Sequence, residues 1–471
     1  MKIKLGLGQL DMESVARYCS GELYNYTGDS NISVSYVCTD SREADEETMF
    51  VATRGERVDG HDYILSALDR GCRCVLCEYV PTRIAGRKVA FVTVDNSIDA
   101  FALTARGYRK KQRLKTVALT GSVGKTTTKE LVASILSRET NLYATAGNFN
   151  SVIGMPMSLM EAPADRDTAV FEMGMSGFGE IRSMSRTASP DIAMVINIGS
   201  SHLEYLKTRE NIARAKLEIA EGLREGGTLI LNGDEPLLRR NFKGKKYSVI
   251  YLGIDNKDKC DAYADNIKVS ETGTEFDLTF GGMTYEKIKI NLVGRQFVYN
   301  ASFAALSALL LGCSEGAIRE GLESYTPGGI RQNIYEKNGK TVIADCYNAA
   351  PESMRAALDT LTAIETRGKR IAVLGDMREL GDASDEMHRE IGRYVAGRGI
   401  DLLLTLGESG ALIAEGAILS GMSAQSVFAE RNVDNIESLC SELSGRMNDG
   451  DTVLFKASRG VELERAIKKL F

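Results

Sequence analysis

The sequence predicts an α/β protein of three domains: a small mixed α/β N-terminal domain over 1–112, a central domain with a mostly parallel sheet over 113–326, and a doubly wound C-terminal domain over 327–471. Three observations carry this reading. A chain of 471 residues has length for about three domains, each with its own core. From residue 116 onward apolar strands alternate with amphipathic helices, the pattern of parallel sheets covered on both faces. Residues 116–128, Thr-Val-Ala-Leu-Thr-Gly-Ser-Val-Gly-Lys-Thr-Thr-Thr, read as a buried strand running into a glycine loop that opens a helix.

In the first unit the periodicity predicts a short helix from Asp11 with Val15 and Cys19 on one face, then strands near 31–38 and 48–52. A helix at 62–70 and strands at 73–79 and 88–95 follow. The basic run Arg109, Lys110, Lys111, Arg113 and Lys115 reads as a solvated connector. Two polar loops, Thr39–Arg42 and Gly55-Glu56-Arg57-Val58-Asp59-Gly60-His61-Asp62, read as ordinary turns.

The central unit is expected to hold strands at 116–120, 167–173, 190–198 and 227–232, with helices at 125–138 and 210–224. Residues 248–293, with the Gly281-Gly282 turn, suggest an antiparallel meander, and a helix at 298–312 closes the unit. Past Pro327-Gly328-Gly329, strands at 341–345, 370–375, 402–406 and 452–456 alternate with helices at 352–364, 384–397 and 461–470, a Rossmann-like order.

Composition excludes several classes. Hydrophobic residues at 43% and charged residues at 26% are those of an ordinary globular protein, and a net charge of −6 argues against a nucleic-acid partner. The N-terminal stretch lacks the apolar run of a signal peptide and no apolar span is long enough for a membrane, so a cytoplasmic protein without membrane insertion is expected. Nine cysteines without a secretion signal read as reduced thiols, and Cys72, Cys74 and Cys77 as small buried strand residues rather than a zinc site.

The chemistry is expected at the carboxyl ends of the central strands. Gly121 and Gly124 let backbone N–H groups turn toward an anion, Lys125 supplies a charge for the outer phosphates of ATP, and the Thr126 hydroxyl is placed for Mg²⁺. This makes the central unit P-loop ATPase-like, although Leu119 stands where the general motif has its first glycine. The next strand runs into Glu172 and strand 190–198 ends at His202. Glu172 is the better metal ligand, with His202 on a second ion or a water. Lys216 lies inside the apolar stripe of Ile212, Ile219, Ala220 and Leu223, so either its head snorkels to water or it is modified or paired at the site. No Ser-His-Asp or Cys-His arrangement is evident among three histidines, His61, His202 and His388.

These residues resemble the Mur ligases, the ATP-dependent amide-forming enzymes of peptidoglycan precursor synthesis, along nearly the whole chain. Thr120-Gly121-Ser122-Val123-Gly124-Lys125-Thr126-Thr127 resembles the family's phosphate loop, and Thr145-Ala146-Gly147-Asn148-Phe149-Asn150 with Ile153-Gly154-Met155-Pro156 its T-x-G-N-x-N…I-G-x-P segment. Asp345-Cys346-Tyr347-Asn348-Ala349-Ala350-Pro351-Glu352-Ser353-Met354 and Gly375-Asp376-Met377-Arg378-Glu379-Leu380-Gly381 resemble segments of the family's D-alanyl-D-alanine-adding branch; the D-N-P-R of the tripeptide-forming branch is missing. Departures are Ala118 for glycine, Gln296-Phe297 for the common H-N, Ile330 for glycine before Arg331, and Ala350 for asparagine.

The resemblance implies ATP contacts from Gly121 to Thr127 and from Asn300 and Arg331, and contacts to the UDP-sugar end of the substrate from Asp40, Ser41, Arg42, Asp59, Gly60 and His61. Asn148, Asn150, Tyr347 and Asn348 would meet substrate, and Lys125, Glu172, His202 and Lys216 would carry the chemistry. Two Mg²⁺ ions are implied, held by Thr126, Glu172, His202 and Lys216 as its carbamate. The implied substrates are a UDP-N-acetylmuramoyl-tripeptide and D-alanyl-D-alanine, with a monomer closing by hinges near residues 110 and 327. Rival readings are a tripeptide-forming or folate polyglutamate ligase, and a nucleotide-switch protein; against the last, Asn232-Gly233-Asp234-Glu235 lacks the lysine of a guanine-reading motif.

Overall fold

The computed structural model describes residues 1–29, 31–55, 58–84, 87–145, 147–239 and 246–471. Glu56, Arg57 and Ala146, named in the segments above, lie outside the described residues. Each of the three units is built on its own sheet.

The first sheet runs, edge to edge, Lys2–Lys4, Tyr36–Cys38, Thr48–Val51, Cys74–Cys77, Ala90–Thr93 and Glu22–Asn25. Its inner strands are parallel and both edge strands antiparallel. Helix Met12–Cys19 begins where expected because the Asp11 carboxylate accepts from Ser14 N at 2.6 Å, satisfying one of the helix's open donors. Cys72, Cys74 and Cys77 are buried free thiols, and Cys72 Sγ donates to Thr48 O, as small core residues do.

The basic run is corrected at its first member. Lys110, Lys111, Arg113 and Lys115 are exposed, but Arg109 ends helix Ser97–Arg109 with only 2% of its surface open. Its guanidinium donates to Ala188 O, Gln112 O, Leu114 O and Thr116 Oγ1 at 2.8–3.1 Å. The planar fork thus closes off carbonyls at the seam between the first two units, which an alternating run of cations does not reveal. Nearby, Leu7 N donates to the Tyr108 hydroxyl and Gln112 Nε2 to Leu159 O. One apolar core continues across this seam, from Val15 and Phe101 through Leu114 to Met155 and Phe171.

The central sheet has Lys115–Thr120 between Thr168–Glu172 and Ile192–Val195, all parallel. The expected meander is partly corrected: Ser248–Gly253 pairs parallel with Thr228–Asn232, so it continues the α/β sheet. Ala262–Ser270 also joins it in parallel, and then pairs antiparallel with Gly273–Phe280, which pairs antiparallel with Met283–Ile290; these last two are joined at Gly281-Gly282, whose φ values of 61° and 80° suit a tight primed turn. Helix Gln296–Leu311 packs on this sheet with Phe303 and Leu306 fully buried.

In the third sheet Lys340–Asp345, Thr452–Lys456, Arg370–Gly375, Leu402–Leu406 and Val427–Glu430 are parallel, and Asn333–Lys337 adds an antiparallel edge. Among the described residues no helix is long and apolar enough to cross a membrane.

Replacing Arg109 by alanine leaves several buried carbonyls without a donor, and each such loss costs about 1–3 kcal/mol. Differential scanning calorimetry of Arg109→Ala is expected to show a lowered first transition, while Lys111→Ala leaves it in place.

Candidate active site

The phosphate loop follows strand Lys115–Thr120 and ends at Gly124, which precedes helix Lys125–Leu136 with φ +79°. A Cβ at Gly124 would lie 2.4 Å from Asn300 Nδ2, so glycine is required both by the backbone and by the neighbour. Asn300 Nδ2 in turn donates to Gly124 O and Thr128 Oγ1, tying the loop to helix Gln296–Leu311. Ser122 N and Val123 N both donate to Asn197 Oδ1, at 2.9 and 3.0 Å.

Two lysines converge on one carbonyl. Lys125 Nζ and Lys216 Nζ each donate to Gly121 O at 2.9 Å. Lys216 is 1% exposed, which removes the snorkelling alternative. Burial, with Lys125 as an unfavourable neighbour, pushes its ammonium well below the usual lysine range. Burial also lowers Lys125, against the pull of Glu172.

Opposite the lysines, Thr126 Oγ1 donates to Glu172 Oε2 at 2.9 Å and Asn150 Nδ2 to Glu172 Oε1 at 2.8 Å. Glu172 is buried at the end of its strand. His202, held at φ +65° just past the next strand, has Nδ1 2.6 Å from Glu379 Oε2 of the third unit. Hydroxyl and carboxylate oxygens are the hard donors Mg²⁺ takes, so Thr126 and Glu172 fit it. His202 suits a second, less demanding position. Lys216 as an amine does not fit beside a cation; as a carbamate it would.

The third unit faces this edge across a cleft of about 610 Å³. Lys456 Nζ, 2.6 Å from Asp345 Oδ2, also donates to Asn348 O and fixes the segment that carries Tyr347 and Asn348. Arg331 lies 3.3 Å above the Tyr347 ring. Glu352 Oε1 accepts from Ser200 N and Ser200 Oγ at 3.0 and 2.9 Å, and Gln296 Nε2 donates to Thr360 Oγ1. At the rim Asp234 is held down to about 2: burial opposes this, but Ile254 N, Tyr299 OH and Asn256 donate to it.

The cleft is lined by Ser122 to Thr127, Asn150, Glu172, His202, Asn300, Arg331, Tyr347 and Asn348. Lys216 sits buried behind Gly121. Asn148 is exposed outside the cleft, where its carbonyl accepts from Asn150 N. Asp40, Ser41, Arg42, Asp59, Gly60 and His61 form two capped turns on the first unit and are not in the cleft wall. Arg42 pairs with Asp40; His61 is buried, with Nε2 accepting from Glu78 N and Nδ1 2.6 Å from Asp59.

Sequence reasoning missed Asn197, Glu352, Glu379 and Lys456. Asn197 lies just past Ile192–Val195, so the strand-end rule could have found it. Glu352 and Glu379 stand inside quoted segments, but which of their residues cross to another domain depends on packing.

Comparison with known proteins adds the family. The Mur ligase middle domain matches residues 119–308, the Mur ligase glutamate ligase domain 331–459 and the Mur ligase family catalytic domain 33–109. The UDP-N-acetylmuramoyl-tripeptide–D-alanyl-D-alanine ligase of Bacillus subtilis strain 168 is 35% identical over 464 residues, 98% of either chain. This chain belongs to the Mur ligase family, and it is a ligase. Among solved structures, MurF from Acinetobacter baumannii superposes with a TM-score of 0.88 at 29% identity, covering 99% of each chain. MurF ligase from Thermotoga maritima in complex with ADP gives 0.80 at 29% identity, covering 92% of this chain and 96% of that one.

In this ligase the clash at Gly124 provides a direct test of the loop. Gly124→Ala, with a forced contact and a strained φ, is expected to weaken binding of a non-hydrolysable ATP analogue tenfold or more, on the order of 1.4 kcal/mol. Isothermal titration calorimetry measures it, and wild-type affinity would remove the loop from the nucleotide site.

Proposed function

We propose that this ligase joins D-alanyl-D-alanine to the terminal carboxyl group of UDP-N-acetylmuramoyl-tripeptide, cleaving ATP to ADP and phosphate, as a cytoplasmic monomer. The observation that carries the reading is that the phosphate loop and the Asp345–Ala350 segment face each other across one cleft. Full-length similarity to relatives named for this reaction supports it.

In the first step a carboxylate oxygen of the tripeptide attacks the γ-phosphorus, and the bond to the bridging oxygen breaks to release ADP. In the second the dipeptide amine attacks the acyl carbon, loses a proton, and the tetrahedral intermediate expels phosphate. Such chemistry needs positioning and charge neutralisation rather than a protein nucleophile. Lys125 neutralises the transferred phosphoryl group, the loop amides and Asn300 hold its position, and Arg331 approaches from the third unit. Bound Mg²⁺, held by Thr126 and Glu172 and at a second position by His202 and Lys216, would supply charge neutralisation for the phosphates. Asp40, Ser41, Arg42, Asp59, Gly60 and His61 would hold the UDP-sugar end away from the reacting centre, with Asn148 and Asn150 nearer to it.

Lys216 enters this scheme as a carbamate. Its burial beside Lys125 favours the neutral amine, which adds to CO₂ with loss of one proton and becomes an anion. After equilibration with ¹³C-bicarbonate, a carbamate carbon signal is expected in wild type and absent in Lys216→Ala, whose activity should fall at least a hundredfold, about 2.7 kcal/mol. Full activity of Lys216→Ala would remove the carbamate from the scheme.

The substrate reading is tested with ATP and UDP-N-acetylmuramoyl-tripeptide plus either D-alanyl-D-alanine or a single amino acid. Phosphate release is expected with the dipeptide alone. Release with the single amino acid instead would favour a tripeptide-forming ligase, and silence with both would overturn the reading.

A further inference from the structure

The segment Met377–Gly381 of the third unit reaches the central unit at one place, and it is held rigidly there. Met377 N donates to the buried His388 Nε2 and Arg378 N to Ser458 Oγ, each at 2.9 Å. Glu379 follows at φ +65°, a left-handed conformation that a non-glycine residue rarely adopts. Its carbonyl accepts from Glu204 N at 3.0 Å, and Gly381, at φ +58°, lies so close to Glu204 that a Cβ would come within 3.0 Å of Glu204 Cα. Across the seam His202 is also left-handed, at φ +65°. Two strained residues on different domains thus meet at 2.6 Å, Nδ1 of the ring against Oε2 of the carboxylate, close as an ion pair though not aligned as a hydrogen bond. Nε2 is the ring nitrogen left to face a ligand, and His202 lines the cleft.

A histidine that binds a metal through one nitrogen commonly sets the other against a carboxylate, which fixes the ring and raises its basicity. Here that carboxylate belongs to another domain. We propose that Glu379 is a positioning residue which, by docking on His202 Nδ1, completes the central domain's second cation position only when the third domain is seated. Cation binding and domain docking are then coupled, and by reciprocity the cation strengthens docking. This inference rests on the proposed assignment of His202 to a cation.

The test titrates Mg²⁺ into the full-length protein with a non-hydrolysable ATP analogue, following analogue binding by calorimetry and docking by small-angle X-ray scattering. Glu379→Ala is expected to raise the Mg²⁺ requirement by about 10–100-fold, leave analogue affinity without Mg²⁺ unchanged, and abolish the Mg²⁺-dependent part of the compaction. Glu379→Gln, which preserves shape and removes charge, should shift in the same direction, and Glu379→Asp should restore part of the loss. In a His202→Ala background Glu379→Ala should add nothing. A wild-type Mg²⁺ requirement in both Glu379→Ala and Glu379→Gln overturns the inference. So does equal loss of compaction with and without Mg²⁺, the behaviour of a simple docking contact. If His202→Ala itself leaves the Mg²⁺ requirement unchanged, the cation assignment falls together with the inference. If His202→Ala shifts it and the Glu379 variants do not, only the inference falls.

Discussion

The carbonyl of Gly121 is where the electrostatics of this protein are set. It accepts from two lysines, the buried Lys216 and the half-buried Lys125 at the cleft wall, in a site where the carboxylate Glu172 already serves Thr126 and Asn150. A buried cation without a counter-charge is costly, and two side by side are more so. One of the pair must give up charge or gain an anion. Lys216, with no acid beside it, is the one whose ammonium is driven furthest down. Lys125 keeps the partial support of Glu172. The geometry therefore separates two lysines that look alike in composition: Lys125 stands at the cleft wall within the pull of Glu172, while Lys216 is buried where its charged form is the more disfavoured.

The surrounding fold exists to hold that carbonyl in place. Parallel pairing of Lys115–Thr120 with both neighbours puts Glu172 on one side of the loop and Asn197 on the other. Asn300 braces the loop from helix Gln296–Leu311, within hydrogen-bond distance of the Gly124 carbonyl. Because Gly124 lacks a side chain, the brace can come this close. Each contact reaches the loop from a different element, so shifting any one strand would misplace several partners together.

Much of this was legible in the sequence, for identifiable reasons. The strand, loop and helix at 116–136 announce themselves because apolar run, glycines and Lys-Thr occur in immediate succession. Glu172 and His202 were found because a parallel sheet gathers its strand ends on one edge. Lys216 was singled out by its place within an apolar stripe. Some elements that escaped lacked such marks: helix Gly410–Leu419 is apolar on nearly every face, and edge strands Leu142–Ala144 and Val427–Glu430 are only half-buried. Others carried them and were still passed over, among them helix Ser97–Arg109 with its Asn96 cap and the amphipathic helix Glu180–Ala188. Arg109 escaped because a fully buried guanidinium and a solvated one are written with the same letter. Partners across domains, Glu352 on Ser200 and Glu379 on His202, depend on how two finished sheets dock.

The two seams between domains differ in kind, and this bears on which can open. Between the first and central units a continuous apolar core is sealed by Arg109, Tyr108 and Gln112. Separating them would divide that core and uncover apolar surface, at about 25 cal/mol for each Å² exposed. The third unit instead meets the central one at the cleft through Glu352, Glu379 and Gln296, polar groups that water can satisfy once they part. The apolar tie is Val293, packed in the third unit's core and lining a small cavity with Thr326 and Pro327 beside the linker. Of the hinges expected near residues 110 and 327, the physical cost falls almost wholly on the first. The seam beside 327, which brings Arg331, Tyr347 and Glu379 to the cleft, is thus the less costly of the two to part.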